Sequence, residues 1–127
     1  MKHTLLLTAL LSANVLAAPV IDLGVTTEKA YGMKGHGTYT YSSHDIQIMN
    51  DTANPITYNY QYSLCVNDHG CMVRGNSVTV NAHSRWNNHA DLTHFAQYDY
   101  SGPFESTATT QVDQQSHQSK SLVIIKD

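Results

Sequence analysis

In "ITYNYQYSLCV", residues 56 to 66, apolar and polar positions alternate without a break: Ile56, Tyr58, Tyr60, Tyr62, Leu64 and Val66 on one face, Thr57, Asn59, Gln61, Ser63 and Cys65 on the other. A period of two is the signature of a half-buried β-strand. "SHDIQIMN" alternates through Ile46 and Ile48 and runs into the turn-forming "NDTANP", which predicts a hairpin or an arch between sheets before the Tyr-rich strand. Further strands are predicted at 37–41 ("GTYTY"), 77–82 ("SVTVNA"), 92–100 ("LTHFAQYDY"), 106–112 ("STATTQV") and 121–126 ("SLVIIK"), with "RGNS" and "SGP" as turn material. The Gly-rich stretch 24–37 reads as a loop or an adapting edge, and 114–120 as a loop or an exposed continuation of its strand. No window carries a capped apolar stripe of helical period. The pattern predicts an all-β fold, a small antiparallel sandwich of about seven strands.

The N-terminus changes where this fold is expected to work. "MKHTLLLTALLSANVLA" has a lightly charged start, an apolar run from Leu5 to Leu11 and small residues at its end, the layout of a secretory signal peptide of bacterial type. The run is interrupted by Thr8 and Ser12 and falls short of the roughly 20 residues that span a bilayer. Pro19 disfavours cleavage just before it, so the predicted cut follows Ala17. Residues 18–127 then form one predicted domain, secreted or periplasmic, with no stable membrane anchor. Loss of Lys2 leaves six basic side chains against ten acidic ones, with no basic run. Nucleic acid and anionic membranes, which need a clustered positive face, are poor partners for such a chain.

One succession of segments has a counterpart in a known architecture. "NDTANPITYNYQYSL", then "NSVTVNAHS", then "YDYSGPFESTATTQV" resembles the strand order of bacterial immunoglobulin-like or fibronectin-like sandwiches, in which an aromatic after a glycine opens a late strand. Phe104 stands at that place. The chain lacks the inter-sheet cysteine pair with an intervening tryptophan of true immunoglobulin domains. The resemblance implies a fold and leaves function to the residues.

Cys65 and Cys71 enclose "VNDHG", whose Asn, Asp and Gly suit a tight reversal. If Val66 pairs with Gly70 around a three-residue turn, the two cysteines oppose one another and a disulfide is expected in an exported chain. The spacing is not that of a C-x-x-C redox pair. The bond is read as structural, holding "NDH", with Asp68 and His69, as a presented tip.

Tyr58, Tyr60 and Tyr62 are read as core, because buried aromatics of this kind dominate sandwich interiors. The competing reading is an exposed ladder for sugar rings or a protein partner, to which Tyr39, Tyr41, Tyr98 and Tyr100 add area.

The densest chemistry lies in "NAHSRWNNHADLTHF", residues 81 to 95. Read as a polar connection, it offers Arg85, Trp86, Asn88 and His89 as a ligand-binding patch, with Trp86 either an exposed anchor or a plug at the end of the sandwich. His83, His89, Asp91 and His94, with His44 from a neighbouring strand, are the candidate ligands for Zn or Cu. Their spacing matches no zinc-finger or H-E-x-x-H pattern. No G-x-S-x-G elbow appears, and Glu28 and Glu105 imply no carboxylate pair for glycoside hydrolysis.

The sequence therefore predicts a non-catalytic exported binding protein without a cofactor, recognising a protein or glycan on a host or cell surface through loops around 67–69 and 84–91. The alternative is a secreted or periplasmic metal-binding protein. A third reading is an adaptor of an envelope assembly, docking through an exposed strand edge such as "SLVIIK".

Overall fold

The computed structural model describes residues 18–32, 38–67, 69–96 and 104–123. Seven strands are present among them: β1 (Val20–Gly32), β2 (Thr38–Asn50), β3 (Ile56–Val66), β4 (Gly70–Val80), β5 (Ser84–Ala96), β6 (Phe104–Val112) and β7 (Gln115–Val123). All paired neighbours are antiparallel. They form a three-stranded sheet, β1-β2-β5, and a four-stranded sheet, β4-β3-β6-β7. Among the described residues the architecture is a seven-stranded antiparallel β-sandwich, as the alternation predicts. Its fourth strand pairs with β3, whereas in constant-type immunoglobulin domains the fourth strand joins the other sheet.

The core lies between the sheets. Ile46 and Ile48 of β2 and Leu92 of β5 meet Tyr58, Tyr62 and Leu64 of β3, Val80 of β4, and Ala108 and Val112 of β6. Tyr58 and Tyr62 are buried as predicted, and Tyr60 is partly buried against the same cluster.

Several strand ends differ from those the alternation predicts. From Thr38 on, the predicted segments 37–41 and 43–50 join in a single strand, β2, because its inward positions continue as Thr40, Ser42 and His44, which are buried but polar. In the first half of β5 only Asn88 breaks the inward series Trp86, Asn88 and Ala90, and the supposed connection 84–91 is strand. The expected loop from Gly24 is β1 as far as Gly32, an edge strand whose register with β2 shifts between Glu28 and Tyr31. Residues 114–120 are strand from Gln115 on, leading into the expected last strand, and β7 is a sheet edge as read. "RGNS" is not a turn but the middle of β4, whose residues Gly70 to Ser77 are exposed on both faces and so show no apolar period. Residues 1–17, with the signal-peptide reading, lie outside the described residues, as do 33–37 of the expected loop, 97–100 of a predicted strand, 101–103 of the "SGP" turn and 124–126 of the last predicted strand.

β2 and β3 belong to different sheets, so "NDTANP" is an arch. Asn50, fully buried, organises it. Its Nδ2 donates to the carbonyls of Asn54 (2.8 Å), Val80 (3.0 Å) and Asn81 (3.2 Å), while its Oδ1 accepts from Thr52 N (3.1 Å) and Thr52 Oγ1 (2.6 Å). One amide thereby ties the arch to the β4–β5 turn, satisfying backbone groups that would otherwise be buried without partners. His83 sits in that turn with φ 54°, its N–H donating to Thr52 O at 3.2 Å.

Candidate functional site

The outward face of the three-stranded sheet is built by strand register. Asp22 of β1, Gln47 of β2 and Asn87 of β5 stand in one cross-strand row; Gly24, Asp45 and His89 form the next, and Thr26, Ser43 and Asp91 the one after. Further along, Tyr41 faces Thr93 and Tyr39 faces Phe95. Because these positions alternate with Ile46, Ile48 and Leu92, burying the core presents all of them on the opposite side.

Two chemistries occupy this face. At one end Tyr39 and Phe95 are 40% and 50% exposed, with ring centroids 4.7 Å apart. Tyr41 stacks beside Tyr39, 6.3 Å away and nearly parallel. Toward the middle lies a shallow hollow of about 540 Å³, lined by Asp22, Gly24, Asp45, Gln47, Asn87 and His89. Gly24 contributes to it by carrying no side chain: a Cβ there would meet Asp45 Cβ at an ordinary 3.6 Å. A second hollow of about 260 Å³ adjoins it toward Val20, Met49 and Arg85.

His89 is held between two carboxylates. Its Nδ1 lies 2.7 Å from Asp45 Oδ1 and its Nε2 3.0 Å from Asp91 Oδ1. Both contacts favour the imidazolium, and the His89 pKa is raised above its ordinary value, chiefly by the Asp45 hydrogen bond.

The predicted ligand-binding patch divides across the sheet. Arg85 and His89 point outward, whereas Trp86 and Asn88 point inward. Trp86 packs on Tyr60, centroids 5.1 Å apart, and Asn88 Nδ2 donates to the Tyr62 hydroxyl. Trp86 thus packs against the core while staying partly exposed. The cysteine tip is at the other end of the molecule from Arg85, because β4 runs the length of the sandwich between them. His69 is exposed there, its carbonyl 3.0 Å from His94 Nε2, and Asp68 lies outside the described residues. Cys65 and Cys71 stand directly opposite one another at disulfide-bonding distance, Cα atoms 4.0 Å apart, with Val66 paired to Gly70 as expected.

The predicted metal ligands do not converge. His83 is at the β4–β5 turn, 3.5 Å from Asp51. His94 is buried on the inward face, and His44, fully buried, has its Nε2 2.8 Å from Ser42 Oγ and its Nδ1 2.9 Å from Thr110 Oγ1. His89 and Asp91 are neighbours, but the carboxylates engage opposite sides of the ring and share no central point with it. Among the described residues no three His, Cys, Asp or Glu side chains are grouped to hold a metal ion.

Asp22, Asp45, Gln47, Asn87 and Phe95 were not singled out from sequence. The available signal was parity: in β2 every odd position from Tyr39 to Gln47 is opposite to Ile46 and Ile48.

No family model matches the chain, and no curated protein matches it. Among solved structures it is similar to the CARDB domain of the PF1109 protein from Pyrococcus furiosus, a structure in complex with di-metal ions. The two share 9% identity over 85% of this chain and 89% of that one, with a TM-score of 0.41.

Proposed function

We propose that this chain is an exported, non-catalytic bacterial binding module that recognises a protein or glycan outside the cytoplasm, and that the outward face of β1-β2-β5 makes the contact. The observation that carries this reading is the exposed Tyr39–Phe95 pair at one end of a continuous face that also holds a hollow with hydrogen-bonding groups. Exposed aromatics lose apolar hydration on contact and give up little side-chain entropy, which is why they anchor recognition surfaces. Arg85 and His89, read from sequence as contacts, lie on this face; Trp86 and Asn88 support it from beneath.

The test is retention of fluorescently labelled protein on intact bacterial and animal cells. Replacing both Tyr39→Ala and Phe95→Ala should reduce retention at least ten-fold, while His69→Ala at the cysteine tip should leave it unchanged. Undiminished retention of the double variant, or no retention of the wild type on any surface, would sink the reading.

A further inference from the structure

We infer that the occupant of this face is a neutral saccharide chain; the inference rests on the binding reading above and names its ligand. The outward-facing polar groups at the hollow are carboxylates, primary amides and one imidazole: Asp22, Asp45, Gln47, Asn87 and His89. Carboxylates only accept hydrogen bonds, and amides donate and accept side by side. Adjacent ring hydroxyls offer donors and acceptors in that pairwise arrangement, and they carry no charge that must be desolvated. On this face Asp22, Asp45 and Asp91 outnumber the two cations, His89 (held between Asp45 and Asp91) and Arg85, a balance that disfavours nucleic acid and sulfated or phosphorylated chains.

The layout also argues against a protein partner. Protein interfaces concentrate apolar residues at the centre, deplete charge there and place polar residues at the rim. Here the order is reversed: Asp45 is on the central strand and lines the hollow, and the aromatic pair sits at one end. Tyr39 and Phe95 instead suit a pyranose ring, whose slightly positive C–H face lies against the negative face of an aromatic ring.

Length follows from the register. Tyr39 and Asp45 are six residues apart along β2, a separation of ~20 Å at the usual rise of a strand. A monosaccharide touches one end only. A chain of several sugar units reaches from the aromatic pair to the hollow, and Tyr41, stacked beside Tyr39, lies on the way.

The test uses a printed array of neutral, amino and acidic oligosaccharides, with heparin as the polyanion. Neutral oligosaccharides of three or more units should bind, heparin should not, and both Phe95→Ala and Gly24→Val should weaken binding at least ten-fold. Gly24→Val fills the hollow at a position where a Cβ meets only ordinary contacts. Unchanged unfolding midpoints for both variants exclude a general loss of fold. The same variants are then applied to cells treated with periodate, which cleaves vicinal diols, or with protease. Face-dependent retention that survives periodate and disappears with protease overturns the saccharide while leaving the binding face intact. Absence of any face-dependent retention overturns both, and preferential binding of heparin overturns the charge argument and the inference with it.

Discussion

His44 and Thr110 join the two sheets through the core: the His44 Nδ1 on β2 lies 2.9 Å from Thr110 Oγ1 on β6. The same hydroxyl donates to the carbonyl of Gly24 on β1, 3.1 Å away, and Ser42 Oγ closes the other side of the ring at 2.8 Å. With Nδ1–H donating to Thr110 and Nε2 accepting from Ser42, every member is satisfied. Thr110→Val keeps the shape and removes the shared hydroxyl, leaving a buried imidazole N–H and a carbonyl without this partner. It should destabilise the protein by about 1–3 kcal/mol in urea unfolding, whereas Thr109→Val on the outward side of β6 should change little. A neutral Thr110→Val would show that the network contributes no net stability.

His44 also predicts a loss of stability in acid. Its pKa is lowered from the ordinary value, above all by burial. Unfolding therefore lets it bind a proton that the folded state resists, and the unfolded chain is favoured as the pH falls below about 6.5. Asp45 and Asp91 oppose the shift and His89 adds to it, but desolvation is the largest cause. The difference in unfolding free energy between wild type and His44→Gln should thus be constant above pH 7 and move against the wild type on going to pH 5. A flat difference across that range would mean that His44 is protonated equally in both states.

His89 should behave with the opposite sign. Its folded pKa is raised by Asp45 and, less strongly, by Asp91. The contribution is complete below the unfolded value near 6.5 and disappears as the pH rises through the higher folded value. His89→Gln should consequently cost more stability at pH 5.5 than at pH 8.5. Ring proton chemical shifts of the wild type give the same pKa directly, and a titration midpoint below 6.5 would contradict the carboxylate clamp.

These histidines show where the sequence was legible and where it was not. β3 could be read because its inward positions Tyr58, Tyr62, Leu64 and Val66 are all apolar. β2 was legible only as two separate pieces, since Thr40, Ser42 and His44 occupy the inward positions before Ile46 and Ile48, with Ser42 and His44 satisfied through the network above. The candidate face was hidden for a related reason. Its residues come from three strands whose register places Asp22, Gln47 and Asn87 side by side, a juxtaposition without any local spacing in the chain. The histidine-rich stretch, by contrast, looked like a single site because it is contiguous. As a strand it sends His89 and Asp91 to one side and His94 to the other.

Trp86 is predicted to matter for stability and to be neutral for recognition. Its ring packs on Tyr60 and against the core cluster while remaining partly exposed. Full burial would make Trp→Ala cost about 3–5 kcal/mol; partial burial reduces that to roughly 1–3 kcal/mol, a fall of several degrees in melting temperature. Retention on cells should not change at temperatures where the variant is folded. An unaltered melting temperature combined with lost retention would make Trp86 a direct ligand contact instead.

The disulfide-distance pair Cys65–Cys71 lies where the sandwich gives its hairpin least support. β4 is exposed on both faces from Gly70 to Ser77, with Met72 39% and Val73 54% exposed, and it regains the core only near Val80. This half of the strand is held by its ladder to β3 and by the cysteine pair, with little packing from the opposite sheet. Intact mass should therefore rise by two protons on reduction. Cys65→Ser with Cys71→Ser, made together so that no free thiol remains, should lower global stability by about 2.5 kcal/mol at most, because the ring closed is short. The larger effect should be local. Amide hydrogen exchange should accelerate across 71–75 while Val80 and its core neighbours keep their protection. Uniform acceleration along β4 would show that the overhanging half folds as one unit with the core, and the crosslink would then serve the whole sandwich instead of its tip.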